Sequence, residues 1–156
     1  MKSLYLGALT ILIASLALSP AQSTRKKSRD REKLIGAWHL VHIHSPGPNG
    51  AEMEISQPLG MLVYSRDGHV SVQLMYAKAQ HDLNNQYVRD GYEASFGSFE
   101  IDEAAHTLTH HVQGANTGDI LVGKELPRIY QFMKDGHLLI RSANSDEHWS
   151  VEWERY

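Results

Sequence analysis

Leu34-Ile35-Gly36-Ala37-Trp38-His39-Leu40-Val41-His42-Ile43-His44 is the stretch whose reading decides the fold. Its side chains step by two: Trp38, Leu40, His42 and His44 fall on one face, with Ala37, His39, Val41 and Ile43 on the other. That is the period of a half-buried strand, not of a helix. Pro46-Gly47-Pro48-Asn49-Gly50 then breaks the chain into a loop.

Downstream the same step recurs. Met61 to Tyr64 reads as a strand, Ser65-Arg66-Asp67-Gly68 as a tight turn and His69 to Tyr76 as the hairpin partner. The Asp-Gly pair supplies the residues such a turn requires. Ser95 to Ile101 and Thr107 to Gln113 flank a turn at Asp102-Glu103-Ala104-Ala105, and Gly114 to Gly118 reads as a loop. Arg128 to Met133 and His137 to Ser142 are joined through Lys134-Asp135-Gly136, and Trp149 to Arg155 closes the last run. Residues 77–93 lose the alternation and place Leu83, Tyr87 and Val88 at helical spacing, which predicts a short helix over one end of the sheet. Short strands with turn chemistry between them give an all-β sandwich or barrel. No internal repeat, low-complexity tract or second domain interrupts the pattern.

The segment ahead of Leu34 reads differently. Lys2 is followed by an apolar run from Leu4 to Leu18, then by Ser19-Pro20-Ala21 with small residues at the positions a signal peptidase reads. This is the layout of a secretory signal peptide over residues 1–21, too short to span a bilayer comfortably; a retained anchor is the alternative. Cleavage after Ala21 would leave 135 residues, enough for one domain with a sizeable core. The expected location is secreted or periplasmic, with no membrane span left after cleavage. There is no cysteine, which excludes disulfides, thiol nucleophiles and thiolate metal sites.

Charge is uneven. Residues 25–33 hold six of the fifteen basic side chains, whereas from Leu34 onward eight Lys/Arg face sixteen Asp/Glu, a net charge of −8. Residues 22–33 therefore read as a solvated, mobile basic leader ahead of a domain over residues 34–156. The acidic body argues against nucleic acid as a partner.

Taken together, Leu34-x-Gly36-x-Trp38-x-Leu40, Gly60-x-Leu62-x-Tyr64-x-x-Asp67-Gly68, Ser71-Val72-Gln73, Phe96-Gly97-x-Phe99, His110-x-Val112, Arg128-x-Tyr130 and Trp153-Glu154-Arg155 resemble the lipocalin-like domain proteins, small bacterial and fungal barrels. The resemblance covers nearly everything from Leu34 to Tyr156. It implies a closed antiparallel barrel of about eight strands with one short helix and a cavity for a small apolar molecule. It also implies that Gly36 and Trp38 lie at the barrel floor, with Arg155 stacked over the indole to join the first and last strands. It implies no one activity.

An eight-stranded barrel has room for packed side chains or one small ligand, so polar side chains in phase with apolar ones become the candidates. His110 is in phase with Leu108 and Val112; it is either a satisfied core histidine or a ligand contact or acid/base group. Arg128 is in phase with Tyr130 and Phe132. A buried guanidinium needs an anion, which is either an internal carboxylate or an acidic group on the ligand. Tyr64, Gln73 and Tyr130 could each bring a polar tip to the cavity, and His42 shares the face of Trp38.

Ten histidines raise the question of metal. His42, His44 and His110 could form a three-histidine site, but no carboxylate stands at a recognisable spacing, and no metal is assigned. No nucleophile elbow and no phosphate-cradling loop appears, and no cofactor is implied. The expected function is an exported binder of a small apolar or weakly anionic, carboxylate-bearing molecule. The alternative is a cofactor-free isomerase, cyclase or lyase, with His110 moving a proton and Arg128 stabilising negative charge.

Overall fold

The computed structural model describes residues 29–46, 52–54, 59–76 and 87–156. The alternating runs form strands β1 (Gly36–Pro46), β2 (Glu52–Glu54), β3 (Leu59–Tyr64), β4 (His69–Met75), β5 (Tyr92–Asp102), β6 (Thr107–Ala115), β7 (Glu125–Phe132), β8 (Leu138–Ser142) and β9 (Ser150–Arg155). From β3 to β9 each strand pairs with the next. β1 pairs with both β3 and β9, closing an antiparallel barrel of eight strands, and β2 adds a short flap to β1. Closure leaves the eight barrel strands without an unpaired edge. No helix among the described residues is long and apolar enough to cross a membrane.

The floor is built as Gly36, Trp38 and Arg155 suggest. Trp38 is buried, and the Arg155 guanidinium lies 4.3 Å from its ring centroid. Arg155 also donates to the carbonyl oxygens of Ile35, at 2.9 Å, and of Lys33. Gly36 has φ +137°, and a Cβ there would run into that guanidinium. Only glycine accommodates both the backbone and the arginine at this position.

The leader is corrected in part. Residues 22–28 lie outside the described residues, but Arg29–Leu34 form a helix, α1, that seals the floor. Six residues cannot hold a helix by themselves; the barrel supplies the stabilisation. Glu103 accepts from the backbone N–H of Asp30 at 2.5 Å and of Arg31 at 3.3 Å, and the Tyr130 hydroxyl donates to Asp30 at 3.0 Å. Arg31 lies over Phe99, Lys33 over Phe132, and Leu34 is fully buried against Trp38. The composition shows charge without apolar period, but here nearly every charge finds a partner on the barrel rim.

Two irregularities set which side chains point inward. Between Leu40 and His42 the β1–β9 register slips by one residue, and between Phe96 and Gly97 the β5–β6 register does the same. A bulge of this kind inverts the phase of everything beyond it. Trp38 and Leu40 are therefore inward, and so is Ile43, while His42 is exposed.

The helix expected over residues 77–93 lies outside the described residues for 77–86. From Tyr87 onward the chain is a turn: Arg89 bridges Tyr92 across Asp90 and Gly91, both with positive φ, and β5 begins three residues before Ser95. The stretch expected as a loop at Gly114–Gly118 instead extends β6 to Ala115 and leads into one helical turn, α2 (Gly118–Leu121).

Candidate functional site

Inward-facing residues fill the barrel in layers. The lower layer, with Trp38, Tyr64, Phe99, Leu108, Tyr130 and Leu138, is packed solid. Above it lies a cavity of about 70 Å³. At ~10–15 Å³ for each water position, this is room for roughly five waters or one small ring. The walls are mostly aliphatic and aromatic, and the polar groups reaching them include His110, Arg128, Glu93 and Ser95.

His110, on β6, is 8% exposed, and its Nε2 lies 2.8 Å from the Tyr64 hydroxyl. Burial, reinforced by the nearby Arg128 charge, pushes the imidazole down to about 3. Burial also pushes the Tyr64 phenol up, so the pair is neutral at ordinary pH. Tyr64 belongs to the packed layer beneath the cavity and fixes the orientation of His110 from below.

Arg128, on β7, is 7% exposed. Its guanidinium stacks 4.7 Å from the Trp149 ring centroid and 5.6 Å from that of Tyr87 and donates to the carbonyl of Pro127 at 3.2 Å. None of the ion pairs among the described residues involves Arg128. Glu147 is held by Tyr87 and Trp149 instead, receiving the indole N–H at 3.0 Å. Burial opposes its charge, but hydrogen bonds from Ser142 and Trp149, with the Arg128 charge, hold its carboxyl below the ordinary range.

Glu93 is the residue that sequence reasoning missed. It lines the cavity from β5 and accepts from the Tyr76 hydroxyl at 3.3 Å. Burial pushes its carboxyl up to about 7, against the pull of Arg128 and the Tyr76 hydrogen bond. The assignment of residues 77–93 to a helix hid it. Extending the two-residue step backwards from Ser95 would have placed Glu93 on the inner face.

The other candidates fall elsewhere. Gln73 is on the outer face of β4, accepting from the Tyr92 hydroxyl at 3.4 Å. Tyr130 is buried at the floor, with its hydroxyl committed to Asp30. His42 points outward with its ring 6.1 Å from that of His44, and the barrel wall separates both from His110, so the three-histidine grouping does not form. The bulge after Leu40 is the reason for His42. Strand phase is the reason for Gln73, since Leu74 and Val70 take the inner face of β4.

No curated protein sequence matches the chain. Among solved structures, one similar chain is a point mutant of the fluorescent protein UnaG, at 14% identity and TM-score 0.39, with 80% of this chain and 96% of that one covered. The family model of the lipocalin-like domain matches residues 35–155, and the chain belongs to that family.

Proposed function

We propose that the protein is an exported carrier that holds one small apolar acid in its barrel, with the acidic group on Arg128. The observation that carries this reading is a buried guanidinium on a cavity wall, resting against two aromatic rings that meet edge to face, with no carboxylate ion-paired to it among the described residues. An unpaired buried charge costs several kcal/mol, and an anionic ligand would remove that cost. The cavity volume limits the rest of the ligand to about one ring unless the aromatic flank moves. The signal-like segment from Leu4 to Ala21 supports export.

The catalytic alternative loses its proton carrier. An imidazole pushed down to about 3 is uncharged at neutral pH and too weak a base to take up a second proton, and its Nε2 is engaged by Tyr64.

Calorimetric titration with benzenesulfonate and its neutral analogue methyl phenyl sulfone tests the reading. Arg128→Met should weaken the sulfonate about tenfold or more, the scale of a lost charge-assisted contact, and leave the sulfone within about twofold. Equal effects on both would remove Arg128 from the site. Mass spectrometry of the protein recovered outside the cytoplasm should show a mature chain starting at Gln22.

A further inference from the structure

Glu93 and Arg128 face one cavity, and no ion pair joins them. The arginine is held from its own side by Trp149, Tyr87 and the Pro127 carbonyl. The glutamate is held from the β4 side by the Tyr76 hydroxyl. A carboxylate and a guanidinium placed on separate supports around a small void leave room for a third group between them. We propose that Glu93 selects the charge of the ligand: protonated, it lets an acidic ligand settle on Arg128, and ionised, it repels that acid and holds the guanidinium's field for itself. The inference rests on the carrier reading above and adds the regulation of that site, so that an acid is taken up at lower pH and released at higher pH.

The groups facing Glu93 support one titration in this range. From β7 comes Arg128, whose charge pulls the carboxyl down; from the end of β4 comes Tyr76, whose phenol burial pushes up and which stays protonated. On β6, His110 is pushed down to about 3 and carries no charge near neutrality. Beyond the aromatic flank Glu147 is held ionised by its hydrogen bonds. Burial pushes Glu93 itself up to about 7, which puts its proton loss in the physiological range. A like charge across a cavity one ring wide, in a medium far less polar than water, is enough to change affinity severalfold.

The test is calorimetric titration with benzenesulfonate, whose own charge does not change over the range used, at steps between about pH 5.5 and about pH 8.5. Affinity should fall by about tenfold or more across the range for the wild type, whereas methyl phenyl sulfone should bind with the same affinity throughout. Glu93→Gln should bind the sulfonate tightly at every pH. Tyr76→Phe removes a hydrogen bond that favours the ionised carboxyl, so the midpoint of the fall should move to higher pH; this second variant keeps the test decisive if Glu93→Gln folds poorly. A flat wild-type profile, or a fall that persists in Glu93→Gln, overturns the role of Glu93 while leaving the carrier reading intact. Absence of sulfonate binding at every pH overturns both.

Discussion

Replacing Glu93 with Gln should change how stability depends on pH, even with no ligand. The substitution keeps the shape and an oxygen to accept the Tyr76 hydroxyl, but removes the charge. The folded state holds the carboxyl at about 7, against 4.5 for the unperturbed group. The native state therefore binds this proton more tightly than the unfolded chain does. Its stabilising contribution is complete below the unfolded value and is lost as pH rises through the folded one. At about 1.4 kcal/mol for each unit of difference, the loss is on the order of 3 kcal/mol. Burial is the cause, and the Arg128 charge already offsets part of it. Urea unfolding of both proteins at steps between about pH 5 and about pH 8.5 isolates the effect, because titrations elsewhere cancel in the difference. The variant should gain roughly 2–3 kcal/mol on the wild type over that range, with most of the change between about pH 5 and about pH 7 and little above it. A difference that stays constant with pH would show that Glu93 is hydrated in the folded protein, and the electrostatic account of the cavity would fail.

Two further substitutions probe the frame. Gly97→Ala would drive a Cβ into the backbone carbonyl of His111, which cannot rotate away as a side chain could, so stability should drop by about 3 kcal/mol or more in a urea melt. A loss below ~1 kcal/mol would mean that the β5–β6 irregularity relaxes easily. Arg155→Met should cost about 1–2 kcal/mol, from the lost stacking on Trp38 and the lost hydrogen bonds to Ile35 and Lys33. Tryptophan fluorescence during unfolding reads it, and a change within error would separate Arg155 from barrel closure.

Strand periodicity and turn chemistry are local properties, and they were legible. Asp67-Gly68 and Asp135-Gly136 mark hairpins that form where expected, with both glycines at positive φ. His110 and Arg128 were placed inward by simple alternation with Leu108 and Tyr130, because β6 and β7 run without interruption through those positions. The same alternation misplaced His42, since a bulge depends on how two strands distant in sequence share their hydrogen bonds. It also put Tyr130 in the wrong layer: inward is correct, but height along the barrel is set by the tilt and stagger of the strands.

The amino-acid order alone determined the chain's division into short two-faced strands, because φ preferences, side-chain period and turn residues act within a few positions; the Gly36, Trp38 and Arg155 set that joins its ends was legible only through the resemblance to the lipocalin-like domain proteins. Tertiary structure alone decided that Arg29–Leu34 seal the floor, that His42 looks out, and that Glu93 shares a void with Arg128. Those outcomes depend on register between strands and on burial, which raises or lowers the cost of a charge only after the barrel has closed around it.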